Sequence, residues 1–187
     1  MVQRGYSLDR ARDSAAHTRI ALLGVWVGAL AAFGALFVPA AFSHLPTALA
    51  ASVLGDGFNA LDRGGMLVGG ACALLGWLDA RRRGDAALAT RVRALLPLVG
   101  VAAHAASGFV VTPSIHALRM AAGGEIGQLP PGAPDLARFA ELHALSRALF
   151  GSAAASALCA CAWDLLALHP RARARVSRDI EPRNFLN

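Results

Sequence analysis

Long apolar stretches separated by short charged ones organise this chain. No Asp, Glu, Lys or Arg occurs between Arg19 and Asp56, between Arg63 and Asp79, between Arg93 and Arg119, or between Arg147 and Asp164. A helix that crosses the hydrocarbon core of a bilayer needs roughly 20 mostly apolar residues. The four stretches therefore predict four spans, at about 20–42, 61–78, 94–112 and 138–168. Gly24 and Gly28 in the first, and Gly65 and Gly69 in the second, stand four apart, the spacing that lets helix backbones approach closely. The predicted fold class is all-α, an integral membrane four-helix bundle. Pro39 is expected to loosen the outer end of the first span. After Leu45-Pro46, Leu54, Phe58 and Leu61 recur at helical spacing and predict a short segment at the outer surface, irregular at Gly55-Asp56-Gly57. Pro113–Ala122 reads as helical, and Gly123–Pro134 reads as an external loop because its Gly, Pro and acidic residues show no helical period.

Composition agrees with this pattern: 56% of the 187 residues are hydrophobic and 16% charged, too few polar positions for the surface of a soluble domain of this size. The net charge of +6 first suggests nucleic acid, but no aromatic residues interleave the arginines as a base-stacking surface requires. Every basic residue is arginine, and fourteen of the eighteen fall in the N-terminal tail, around the second connection or in the C-terminal tail. An even number of spans puts these three segments on one side, and the positive-inside rule makes that side cytoplasmic. Residues 1–19 and 169–187 are then cytoplasmic tails flanking a membrane domain at 20–168, with both termini inside and the chain a multi-pass protein of the cell inner (plasma) membrane. The apolar run from Ile20 to Phe42 is longer than a signal-peptide core, so the first span is expected to be retained. Trp77 and Trp163, beside Asp79 and Asp164, mark the inner headgroup level.

Depth decides which polar side chains can meet. Counting about 1.5 Å per residue from Arg93, His104 lies roughly 16 Å deep and His116 roughly 34 Å away. The same count back from His169 puts Arg147 and His143 near the outer surface. His116, Arg119, Glu141, His143 and Arg147 thus form an expected outer cluster, with Asp62 and Arg63 beside it and His104 deeper on the same route. Two imidazoles and a carboxylate suit a metal ion, with His116, His143 and Glu141 as ligands, whereas the arginines suit an anion. The alternative is a salt-bridge network that only fixes helix register. His104 reads as a buried histidine hydrogen-bonded across the helices, and alternatively as the single axial ligand of a haem. Cys159 and Cys161 point about 200° apart on a helix and cannot chelate one ion, and no disulfide is expected among three cysteines. No nucleophile elbow, phosphate loop, zinc-protease motif or dinucleotide fingerprint is present, which weighs against an enzyme.

Three segments together carry a family resemblance: Leu23-Gly24-Val25-Trp26-Val27-Gly28 continuing to Phe37-Val38-Pro39 and Leu45-Pro46, then Val111-Thr112-Pro113-Ser114-Ile115-His116-Ala117-Leu118-Arg119, then Phe139-Ala140-Glu141-Leu142-His143-Ala144-Leu145-Ser146. Over roughly residues 20–165 the chain resembles the transmembrane protein 205-like family, four-span proteins also grouped as a domain of unknown function. The charge pair Asp62-Arg63 and the arginine-rich C-terminal tail depart from that pattern. The resemblance implies fold and location and no settled chemistry. The leading expectation is a non-enzymatic membrane protein that binds or passes a small solute, a metal ion being the favoured class. One alternative is a structural or assembly protein that joins another membrane protein, or a second copy of itself, through the Gly24/Gly28 or Gly65/Gly69 faces. The other is a membrane oxidoreductase with haem on His104.

Overall fold

A computed structural model describes residues 2–83, 88–123 and 126–180. In chain order the elements are α1 (Val2–Ala32), a π-helical segment (Phe33–Phe37), α2 (Val38–His44), α3 (Thr47–Arg83), α4 (Leu88–Ala106), a second π-helical segment (Ser107–Val111), α5 (Thr112–Ala121), a 3₁₀ turn (Ile126–Gln128) and α6 (Pro134–Ile180). The two π segments have a common cause. Each comes just before a helix with proline in its first turn, Pro39 in α2 and Pro113 in α5. Proline lacks the N–H for the bond to residue i−4, and its ring crowds that carbonyl. A local widening of the helix relieves both. The chain therefore stays helical through Pro39. It stops at Leu45, which is extended (φ −117°, ψ 149°) as the residue before Pro46 must be.

Among the described residues, three stretches are long and apolar enough to cross a membrane: Ser14–His44, Arg91–Ala121 and Pro134–Ala167. The fourth expected span, 61–78, does not qualify on its own. It is part of α3, where Asp62 and Arg63 interrupt the apolar run and Gly64, Gly65, Gly69, Gly70 and Gly76 dilute what remains. The irregular surface segment expected at Gly55-Asp56-Gly57 is also absent, because α3 runs through it without a break. Close packing supplies the reason. The backbone of Gly57 lies under the Phe33 ring, which would stand 2.6 Å from a Cβ placed there.

The helices pack in a cycle, α1 on α3 and α6, α4 on α3 and α6, and the α3–α4 contact is the most extensive. Leu23, Trp26, Leu30, Cys72, Ala157 and Ala160 form the central core. Outward, Val25, Leu36, Leu67, Phe109 and Leu166 are each about 70% exposed, an apolar exterior that water would not tolerate and lipid would. Gly24 and Gly28 have no neighbour against them, while Gly65 and Gly69 are used inside the chain, against His104 and against Trp26 and Val101. The three cysteines are free, with only Cys72 buried.

One end of the helices is closed by an ionic knot drawn from all four long helices. Asp164 of α6 is fully buried; Arg19 of α1 reaches its Oδ2 at 3.1 Å and Arg93 of α4 donates from Nε to its Oδ1. Arg93 also donates from Nη1 to Asp79 of α3 at 3.0 Å. A second device joins the same helices. Pro97 inside α4 leaves the carbonyl of Arg93 without its i+4 partner, and Arg19 Nη2 donates to that carbonyl. One turn on, the Ser156 hydroxyl of α6 accepts from Gly100 N–H (3.2 Å) and donates to Leu96 C=O (2.6 Å), two groups that ordinarily bond each other. Asp79 and Asp164 are thus structural partners of arginine. Trp77 and Trp163 beside them stay half exposed, with Arg81 stacked 4.1 Å over Trp77.

Candidate functional site

The other end of the helices opens into two adjoining cavities. The first, about 400 Å³, has walls from five elements: Gly34 and Val38, Leu54 and Phe58 of α3, Ile115 of α5, and Phe150 of α6 are its apolar lining. Arg119 of α5 with His143 and Arg147 of α6 supply its charge and polarity. The second, about 620 Å³, shares Phe42, Ala51, Arg119 and His143 with the first and adds Leu136 and Phe139 of α6 and the 3₁₀ turn. Among the described residues, neither wall contains Asp or Glu.

Local structure explains this placement. Ile126 of the 3₁₀ turn is buried and pins the loop, while Gly123 (φ +71°) and Gly132 (φ +88°) take the left-handed conformations that turn the chain at either side. Arg119, in the last turn of α5, crosses to α3 and donates from Nη1 to the Ala51 carbonyl at 3.0 Å. Its guanidinium lies 5.7 Å over the Phe139 ring, and that ring stacks on His143 at 5.8 Å. Arg119 therefore spends one of its five N–H groups on the fold and holds the rest in the shared wall of the two cavities. Among the described residues, neither Arg119 nor Arg147 has a carboxylate partner. The phenyl rings of Phe58 and Phe150 in this lining pack edge to face at 5.8 Å, and Phe33 packs edge to face against Phe58 at 4.9 Å.

The expected outer cluster is only partly assembled. Arg119, His143 and Arg147 meet at the first cavity. His116 is exposed and lines neither cavity, since it lies on the outer face of α5. Glu141 points away from the cavities and pairs with Arg138 at 3.0 Å on the exposed face of α6. Arg63 is exposed. The metal set His116, His143 and Glu141 is therefore not brought together, and among the described residues no group of three or more His, Cys, Asp or Glu could hold a metal ion.

Asp62 is displaced furthest from its expected position. Because α3 begins at Thr47, Asp62 lies about 23 Å along the helix and not at its edge. It is 4% exposed and its Oδ1 lies 2.9 Å from Nδ1 of His104, itself 2% exposed. The other imidazole nitrogen, Nε2, accepts from the Trp26 indole N–H at 3.2 Å. Indole can only donate, so Nε2 carries the lone pair and Nδ1 carries the proton that goes to Asp62. His104 is neutral in this arrangement. With Nε2 occupied by Trp26 and the ring pressed onto Gly65, His104 does not fit as an axial haem ligand. Neither cavity reaches it.

The sequence signals for the remaining functional groups were weak. Phe58 belongs to the expected surface segment and Trp26 to the first span, and nothing in the local sequence marks Phe150. No curated protein and no solved structure is significantly similar to the chain. One family does match, over residues 21–123, from the first apolar helix through the end of α5 and so across Trp26, Asp62, His104 and most of the first cavity's lining; the chain belongs to the family described as Domain of unknown function (DUF4149).

Proposed function

We propose that this protein is an integral membrane protein that binds a small anionic amphiphile, a carboxylate or phosphate head with an apolar tail, at the cavity bearing Arg119, His143 and Arg147. The carrying observation is the composition of that wall: two arginines and a histidine at the polar rim, phenyl and aliphatic groups below, and no acid among its described lining residues. A cation would meet two uncompensated guanidiniums there. An anion would meet forked donors suited to carboxylate or phosphate oxygens, and its tail would bury against Leu54, Phe58 and Phe150. The solute expected from the sequence thus keeps its location and changes sign.

In this reading α3 also crosses the bilayer, completing four spans. Leu67 (76% exposed) and Leu74 (55%) lie two turns apart on a lipid-facing stripe, while Asp62 is turned inward. Both termini and the ionic knot then face the cytoplasm, by the weight of fourteen arginines in the tails and second connection. The cavities open on the opposite side of the cell inner membrane. The resemblance to the transmembrane protein 205-like family, carried by the motifs at 23–46, 111–119 and 139–146, fits this topology.

Binding is tested with detergent-purified protein and a spin-labelled fatty acid, with the matching fatty alcohol as the uncharged control. Hydrogen bonds to charged groups are worth about 1.5–3 kcal/mol. The R119A/R147A variant is therefore expected to lose at least about tenfold in affinity for the acid, and little for the alcohol. Equal binding of acid and alcohol, or an unchanged affinity in the double variant, would remove the proposal.

A further inference from the structure

We infer that Asp62 is a proton-binding site buried among the helices, its carboxyl taking up one proton at Oδ2 while His104 stays neutral. The inference is independent of what occupies the cavity. It begins with a charge imbalance. In the ionic knot two arginines face two aspartates and the charges cancel. Asp62 meets no arginine among the described residues; its partner is His104, which Trp26 holds in the neutral tautomer. An ionised Asp62 would thus be a buried charge with one hydrogen bond, at Oδ1, and among the described residues its Oδ2 has no hydrogen-bond partner. An uncompensated buried carboxylate is among the costliest groups a helical interior can hold, and it is relieved by binding a cation.

The surroundings select the smallest cation. Oδ2 faces Gly108 in the second π segment, where a Cβ would stand 3.4 Å from Oδ2 and 3.2 Å from the Asp62 Cβ. A metal ion needs several oxygen ligands around it, and this contact with a glycine backbone offers no such shell. A proton needs one lone pair. Of the elements packed on α3, α1 brings Trp26, α4 brings His104, and the π segment brings buried Ser107 and Gly108. The titratable and charged groups of α2 and α5, His44, His116 and Arg119, lie at the cavity end or outside it, and on α3 itself Asp56 and Arg63 are exposed. None of these neutralises Asp62. Protonation moves H⁺ from water to Oδ2, leaves Nδ1–H donating to Oδ1, and leaves the Trp26 bond intact.

The test is pH-difference infrared spectroscopy on the full chain in lipid nanodiscs. The expected result is a carboxylic-acid C=O band, high in frequency as in an apolar site, that is lost in D62N. A wild-type spectrum without such a band, or a band that persists in D62N, would overturn the inference. Should D62N fail to fold, protein carrying ¹³C at aspartate carboxyls and the variant W26F decide. The band must carry the isotope shift, and it must move in W26F, because removing the indole N–H frees Nε2 and lets His104 compete for the proton. A band that lacks the isotope shift or ignores W26F would equally overturn it.

Discussion

Replacing Asp164 by alanine is expected to lower the unfolding free energy by about 3–5 kcal/mol, the usual cost of removing one partner from a buried ion pair. Asp164 is fully buried and forms ion pairs with both Arg19 and Arg93. Without it, two guanidiniums remain in the interior. Arg93 retains Asp79, which is 19% exposed at its side chain, but among the described residues Arg19 retains no ion pair and keeps the hydrogen bond to the Arg93 carbonyl that Pro97 releases. The loss is therefore expected to exceed that of Asp79→Ala, whose pair lies at the margin of the interior. Denaturant titration in detergent, followed by tryptophan fluorescence, measures both. Substituting Arg19, Arg93 and Asp164 together by Met, Met and Leu is expected to recover much of the loss, since a buried ionic group is often replaceable by apolar residues of similar volume. An Asp164→Ala midpoint equal to wild type would show that the knot does not hold the helices in register.

The knot also shows what kind of information the sequence carried. Charge-free stretches bounded by Arg19, Arg93 and Asp164 made the apolar helices legible, because lipid demands length and hydropathy that are local properties of the chain. In the sequence the same residues mark boundaries and not partners, because pairing across 71 residues between Arg93 and Asp164 has no local signature. Asp62 illustrates the converse. The sequence places it beside the outer cluster at the start of a span, yet the helix through Gly55-Asp56-Gly57 continues, and that continuity rests on Phe33 packing against Gly57 from another element. At the cavity, Arg119, His143 and Arg147 were recognisable by helical spacing. That Glu141 would turn away to Arg138, leaving a cationic wall, depended on the rotation of α6 about its axis. Hydropathy could not fix that rotation, since α6 carries exposed apolar residues such as Leu145 and Leu158 as well as its buried face.

Gly65→Ala is expected to be more damaging than its single methyl suggests. A Cβ at position 65 would stand 2.3 Å from both Cδ2 and Nε2 of His104, well inside van der Waals contact. The ring cannot simply withdraw: Nδ1 is fixed by Asp62, Nε2 by Trp26, and the Trp26 ring lies 5.5 Å away with its own far edge against the Gly100 backbone. Overpacking of this kind costs about 1–3 kcal/mol, against a gain of about 1 kcal/mol from replacing a helical glycine. Breaking the Trp26–His104 or His104–Asp62 bond adds to the cost, as it leaves a buried polar group unpaired. A net loss of about 2 kcal/mol is expected, whereas Gly24→Ala, where nothing lies within 4 Å, should be neutral or stabilising. Both are read from denaturant midpoints in detergent. The cause is separable from a general intolerance of α3 by a double-mutant cycle: once His104→Ala removes the ring, Gly65→Ala should cost little, because residues in contact do not add. Equal midpoints for Gly65→Ala and Gly24→Ala, or strict additivity with His104→Ala, would mean that α3 can move away from α4 at this level, and that the ring-to-glycine contact does not fix the spacing of the two helices.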